Sequence, residues 1–373
     1  MVAFKYTVAL LLLAVVSICA APVNAQQTPA QKPEEQERVR VFTEEVRLPV
    51  VAFDAYGHYD PTLELEDVLV LEDGVAQQLR SLRHLSANVL FVLDTGGELS
   101  GVGGRSKSTA LTRQVASELI DKLQPGTSIA VMQSGNAAEM LQPWTTDKDA
   151  VQKTLKNKLL ATKRSRLSDS IVTAAQQLKD RPEGSRHVVM ITDGVDSPGG
   201  KVDRTEAMRK IVAARATVHI ISYTQYVQQK TDDKSSKVTT AQVPVSHDPI
   251  TATDPTLPPG TTRNPSYGVG IRFDPAMKRQ RKAYEADVRK NEQSLRAVAD
   301  ETGGMWLVPI NRDEMMAEAD NVARAIGAEY VVTYRPKRPL AEAEPGEYRR
   351  IEVASRRVGL SLHARRGYVV PTP

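Results

Sequence analysis

Asn88-Val89-Leu90-Phe91-Val92-Leu93-Asp94-Thr95-Gly96-Gly97-Glu98 is the stretch on which the fold turns. Val89 to Leu93 is a continuous apolar run, the pattern of a strand covered on both faces. A carboxylate, Asp94, stands directly at its end. Downstream, Leu111, Val115, Leu119 and Leu123 recur every fourth residue and put one apolar stripe on a helix. Ile129 to Met132 gives a strand, and Val151, Leu155 and Leu159 mark a helix after the capping candidate Asp147. Leu167, Ile171 and Leu178 belong to a third helix. Val188 to Ile191 is a second covered strand, Met208, Ile211 and Val212 lie on the next helix, and Thr217 to Tyr223 is a third strand. Such alternation predicts an α/β fold: a doubly wound, mainly parallel, Rossmann-like sheet with helices on its faces.

Further out the rhythm changes. From Val39 to about Leu85 the chain reads as short β segments, with Asp73-Gly74 between apolar runs as a hairpin signal. Residues 224–274 are rich in Thr, Pro, Asp and Ser and carry almost no apolar period, which predicts a disordered insertion. The α/β pattern resumes with a charged helix from Pro275 to Thr302, a strand at Met305 to Val308, a helix from Asp313 to Ile326 and a strand at Tyr330 to Tyr334. Alternation returns in the tail, with Ile351 and Val353 in one strand and Leu360, Leu362 and Ala364 in another. The expected organisation is an N-terminal β segment over 38–87, an α/β domain over 88–335 and a C-terminal β segment over 336–373. The two flanks together are expected to form one small antiparallel subdomain.

Lys5, the apolar run from Val8 to Ile18 and the Val23-Asn24-Ala25 site read as a signal peptide over 1–25. A polar linker over 26–37 follows. These features predict export to the periplasm, the cell envelope or the medium. Cys19 is the chain's one cysteine and leaves with the signal, so no disulfide or thiolate site is expected in the mature chain. No later apolar run has the length of a membrane span. The 49 basic and 45 acidic residues are spread along the 373-residue chain without a basic block, so no nucleic-acid partner is expected.

The carboxylates fall where ligands bind in doubly wound sheets, at the carboxyl ends of strands. Asp94 ends one covered strand, and Asp193 follows Val188 to Thr192. Either alone could be a helix cap; together they could seat a hard cation. Phe91-Val92-Leu93-Asp94-Thr95-Gly96-Gly97-Glu98 resembles the opening of a von Willebrand factor type A (VWA) domain. Ser165-Arg166-Leu167-Ser168-Asp169-Ser170-Ile171 is similar to that family's T-x-L-x-D-A-I loop, and Met190 to Asp196 to its T-D-G segment. Leu71 to Gln77 and the tail from Glu347 to Tyr368 resemble the secreted bacterial "VWFA-related", acidobacterial-type group.

The resemblance implies a metal ion-dependent adhesion site, in which D-x-S-x-S, a Thr and a later Asp surround Mg²⁺ or Mn²⁺. Carried across, the metal candidates are Asp94, Glu98, Ser165 and Asp193. Gly96 and Glu98 stand where the family has serines, and Ser165 replaces the Thr. Two hydroxyl ligands are thus missing, so the site reads as degenerate and no cofactor is expected, Mg or Mn being the candidates if one binds. Gly96→Ser with Glu98→Ser is expected to restore a Mg²⁺ response if the strand end keeps the family's backbone geometry.

Gly101 to Thr109 also has the look of a phosphate loop. Ser106 stands where that loop needs glycine before Lys107, however, and the segment from Asp94 is too long. The six histidines show no metal-ligand spacing, and there is no G-x-S-x-G elbow. His219 reads as a satisfied core residue. The expected function is therefore a non-enzymatic binding module of the cell envelope, with an unidentified envelope or extracellular protein or glycan as partner. The alternatives are a structural component with an inert VWA scaffold and, third, a nucleotide-binding or enzymatic α/β domain.

Overall fold

The computed structural model describes residues 45–97, 108–226, 242–244, 267–269, 275–344 and 346–370. All of these fall in one compact unit, Glu44–Pro373. The expected signal peptide and linker, Glu98 and the phosphate-loop-like residues 101–107 lie outside the described residues, as does most of 224–274.

In chain order the first strands are β1 (Val46–Phe53), β2 (Val68–Glu72), β3 (Val75–Ala76) and β4 (Leu79–Arg83). Asp73 and Gly74 join β2 to β3 at φ 49° and 79°, the two-residue hairpin that Asp-Gly favours. The α/β core follows with β5 (Asn88–Asp94), α1 (Thr109–Lys122), β6 (Ser128–Ser134), β7 (Ala138–Thr145), α2 (Lys148–Lys158) and α3 (Leu167–Gln177). It continues through β8 (Arg186–Thr192), α4 (Arg204–Ala213) and β9 (Thr217–Ser222). Ser108 caps α1, its Oγ accepting from Leu111 N at 3.3 Å. Within 224–274, β10 (Gln242–Pro244) pairs antiparallel with β11 (Tyr267–Val269). Then come α5 (Pro275–Thr302), β12 (Trp306–Leu307) and α6 (Arg312–Ala328).

The central sheet has the order β12-β9-β8-β5-β6-β7, parallel except for β7, which runs antiparallel to β6. Its two faces are filled separately. Val89, Phe91 and Leu93 pack with α1, α2 and α6, while Leu90 and Val92 pack with α3, α4 and α5. That division is why β5 reads as an unbroken apolar run: both of its faces are core. The edge strand β7 is half-exposed and contains Pro143, so no apolar run announces it in the sequence.

The remaining strands are β13 (Tyr330–Tyr334), β14 (Tyr348–Ser355), β15 (Ser361–Ala364) and β16 (Gly367–Val369). They combine with the N-terminal strands into two antiparallel sheets, β15-β1-β13-β4 and β16-β14-β2-β3. Val46, Leu48, Val68, Val70, Val332, Tyr334, Ile351 and Tyr368 share the core between them. One expectation needs correcting. Tyr330 to Tyr334 does not end the α/β sheet; β13 lies between β1 and β4, antiparallel to both. The α/β segment is therefore spliced into the antiparallel unit between β4 and β13.

The antiparallel core holds a buried polar cluster. Arg349, wholly buried, donates from Nη1 to Glu72 Oε1 at 2.8 Å and to the Arg338 carbonyl at 2.7 Å. Tyr334 and Tyr368 donate to Glu72 Oε2 at 2.8 and 3.2 Å. Burial, and then the Glu72 carboxylate, hold both phenols protonated well above the usual tyrosine range. His219 is buried as expected but is not satisfied, since neither ring nitrogen has a partner among the described residues. Burial, with the neighbouring His187 and His363, pushes its pKa down to about 3, so the ring stays neutral.

Candidate functional site

Sheet order places the site. From β5 the chain moves to β6 on one side and later returns to β8 on the other. The ends of β5 and β8 therefore form the switch point, where a crevice opens beyond the strands. Asp94 is the last residue of β5, wholly buried, and Asp193 follows β8 with 3 % of its surface exposed.

Asp94 is held in place by its neighbours. Its Oδ1 accepts from Gly96 N at 3.1 Å and its Oδ2 from Thr192 Oγ1 at 2.6 Å. The Tyr223 hydroxyl donates to the Asp94 carbonyl at 2.8 Å. Thr192 Oγ1 in turn accepts from Gly194 N at 2.9 Å, and Asp193 Oδ1 accepts from Val195 N at 2.9 Å. Thr192, Tyr223 and Gln133 are site residues that the sequence reading did not single out. Gln133 Nε2 donates to both Thr95 Oγ1 and the Leu160 carbonyl at 2.6 Å, tying the segment before Ser165 to the end of β5.

Ser165 joins the site through its backbone. Its N donates to Ser197 Oγ at 2.9 Å, and its carbonyl accepts from Ser197 N at 2.9 Å. Its Oγ is buried without a hydrogen-bond partner among the described residues. Asp196 caps α3, with Oδ1 on Leu167 N at 2.8 Å and Oδ2 on Ser168 N at 2.9 Å and Ser168 Oγ at 2.5 Å. From the opposite direction, Asp169 Oδ1 accepts from Lys201 N at 2.9 Å and Val202 N at 3.0 Å. The loop after β8 is thus laced to the start of α3. Arg204 opens α4 and reaches back across this loop, Nη2 donating to the Gly194 carbonyl.

A cation of the Mg²⁺ class demands six oxygens near ideal octahedral positions at about 2.0–2.1 Å. Both Asp94 oxygens and Asp193 Oδ1 accept hydrogen bonds, and the Ser165 hydroxyl is buried without a hydrogen-bond partner among the described residues. Gly96 supplies no ligand, and its surroundings leave no room for one. A Cβ there would lie 2.4 Å from the Ser165 Cα and N and 2.5 Å from the Arg164 carbonyl carbon. The expected repair by Gly96→Ser with Glu98→Ser would therefore need the Ser165 backbone to shift, because a side chain in place of Gly96 meets it. Among the described residues, no group of three or more His, Cys, Asp or Glu is arranged to hold a metal. Glu98, the other candidate, lies outside them.

Residues 89–195 match the family model described as von Willebrand factor type A domain, a span that runs from β5 through Asp94, Ser165 and Asp193 to the end of the T-D-G segment. The chain carries a VWA domain. Around it lie the VWA-type parallel sheet and the added antiparallel sheets. Similar solved structures include an aerotolerance-related membrane protein from Bacteroides fragilis, 15% identical, with 64% of this chain and 99% of that one covered and a TM-score of 0.37. BatB from Bacteroides thetaiotaomicron is 16% identical, with 65% and 98% covered and a TM-score of 0.38. A von Willebrand factor type A protein from Catenulispora acidiphila is 10% identical, with 88% and 74% covered and a TM-score of 0.42. No curated protein matches the chain.

Proposed function

We propose that this protein is an exported, non-enzymatic VWA binding module of the cell envelope. In this reading it engages a protein or glycan through the carboxyl end of its sheet without a bound metal. The carrying observation is the approach of the Ser165 backbone to Gly96, which takes the place of one of the family's hydroxyl ligands. With Asp94 and Asp193 buried beneath the face, contact falls to the rim, where Asn136, Lys163, Arg164 and Lys201 are exposed. Export rests on the N-terminal sequence alone. Among the described residues, no helix is long and apolar enough to cross a membrane.

The test is a thermal melt of the protein in Mg²⁺, Mn²⁺ or EDTA. A cation at ~100 times its Kd would stabilise the fold by about 2.7 kcal/mol. In a domain of this size that is roughly 2–4 °C of Tm per kcal/mol. The expected result is a shift below about 1 °C. Capture of an envelope ligand by the immobilised protein should then withstand EDTA and weaken with Lys163→Glu and Arg164→Glu. A shift of several degrees that Asp193→Ala abolishes would overturn the metal-free reading.

A further inference from the structure

At the end of the central sheet opposite Asp94, the strands bury two histidines. His187 is the second residue of β8 and His219 the third of β9. By the two-residue period of strands, both share the face that Val189, Ile191 and Ile221 present to α6. Their rings stack with centroids 5.9 Å apart. The contacts of this pair lead to the junction between the α/β segment and the antiparallel unit. His187 Nε2 lies 3.2 Å from Glu329 Oε1, and the Thr217 hydroxyl donates to Glu329 Oε2 at 3.2 Å. Glu329 stands between α6 and β13, and its carbonyl meets Nδ1 of His84, the residue after β4, at 3.1 Å. One glutamate therefore joins the amino ends of β8 and β9 to both strands between which the α/β segment is spliced.

The remaining nitrogens make this group responsive to acid. His187 Nδ1 and both nitrogens of His219 are buried without hydrogen-bond partners among the described residues. An imidazolium carries two N–H donors, so a proton on His219 would place an unsatisfied charge in the core. The titratable groups that act on it from other elements are His187 of β8 and His363 of β15, and both also turn positive in acid. Burial pushes the His363 pKa down too, Asp300 opposing and Arg366 assisting. The Glu329 carboxylate is already engaged by His187 and Thr217. We infer that His219, His187 and Glu329 form an acid-sensitive latch, closed at neutral pH, whose protonation frees the β4 and β13 junction from the amino end of the central sheet. β8 and β9 each have strands on both sides, whereas Glu329 lies in the short link from α6 to β13, so the link is the part that moves to admit water. The direction follows from proton linkage. An exposed His219 takes a proton near pH 6.5, but burial, then the charges of His187 and His363, hold the closed state neutral down to about 3. The open state thus binds more protons in this window. The latch is at full strength above pH 6.5 and weakens as pH falls toward 3, its opening constant rising about tenfold per pH unit. It is remote from the Asp94 face and independent of any metal there.

The test is amide hydrogen exchange of the full chain at about pH 7 and about pH 5, corrected for the intrinsic pH dependence of exchange. Protection of the β4 and β13 amides is expected to fall about 25-fold at the lower pH, while the β5 amides keep theirs. His219→Phe retains a ring and removes the titrating group, so it should abolish that fall. Should His219→Phe not fold, proton NMR of the histidines in the unmodified protein reads the same linkage. The His219 ring should then stay neutral at pH 5 while the β13 amides remain protected. Equal acid losses in the natural protein and in His219→Phe would overturn the inference. So would a His219 that titrates near pH 6.5 within a protected junction, or protection that falls equally in β5 and β13.

Discussion

At the scale of single residues, Gly96 decides more than either aspartate. Sequence shows that a hydroxyl is missing there; geometry shows that the gap has been filled by backbone, with the Ser165 Cα 2.4 Å from where a Cβ would stand. Backbone cannot retreat as a flexible side chain can, so Gly96→Ser should act as an overpacking change. The expected cost is about 1–3 kcal/mol, read as a lower urea midpoint, with no Mg²⁺ dependence gained. An unchanged midpoint together with a new Mg²⁺ response would mean that the Ser165 segment moves aside freely. Asp94, Ser165 and Asp193 were legible as candidates because each sits at a strand end or loop with a recognisable pattern. Arg204 was not. It lies eleven positions beyond Asp193 at the opening of a helix, and nothing in a linear pattern reports a side chain that turns back.

Elements show the same contrast. The covered strands β5, β8 and β9 and the helices between them follow from apolar runs and fourth-residue stripes, since burial on known faces fixes those patterns. β13 was misplaced for a related reason. It is covered almost throughout, and a strand covered on both faces carries no mark of its direction or its sheet. The start of α3 was legible in part, through the segment that contains Ser168 and Asp169, but its cap comes from Asp196 across the loop. Asp196→Ala should leave the Leu167 and Ser168 amides without their acceptor. The expected loss is about 1–2 kcal/mol in a denaturant titration, with faster hydrogen exchange at those two amides than elsewhere in α3. Unchanged exchange there would assign the end of α3 to another cap.

For the whole molecule, the question is what fastens the flanks of the chain to each other. Glu72 comes from the N-terminal side, Arg349 and Tyr368 from the C-terminal side, and Tyr334 from the strand that closes the α/β segment. Arg349→Met strands the Glu72 carboxylate in the core and should cost about 3–5 kcal/mol. Replacing both, as Glu72→Leu with Arg349→Met, should recover much of that loss, because apolar pairs of similar volume commonly substitute for buried ion pairs. Chemical denaturation of the two variants checks this, and equal destabilisation in both would show that the Arg338 and Pro339 carbonyls, rather than Glu72, are what Arg349 serves. Sequence anticipated that both flanks would meet. It could not show that they meet around a charged knot, since Glu72 and Arg349 look like ordinary surface residues in alternating strands.

The splice between β4 and β13 has a mechanical consequence. Those two strands are neighbours, with Arg83 opposite Val331 and Leu82 opposite Val332, so the α/β segment leaves and re-enters the antiparallel unit at a single two-stranded stem. Tension drawn between Val46 and Val369 is carried first by the ladders of β1, β15, β14 and β16. The α/β segment is joined through the chain only at that stem, but it is also tied sideways to the same unit, Arg215 Nη2 donating to the Val369 carbonyl at 3.1 Å and Arg366 N to the Glu301 carbonyl at 3.0 Å. A pull at Val369 would therefore reach α4 and α5 through these side ties as well as through the stem.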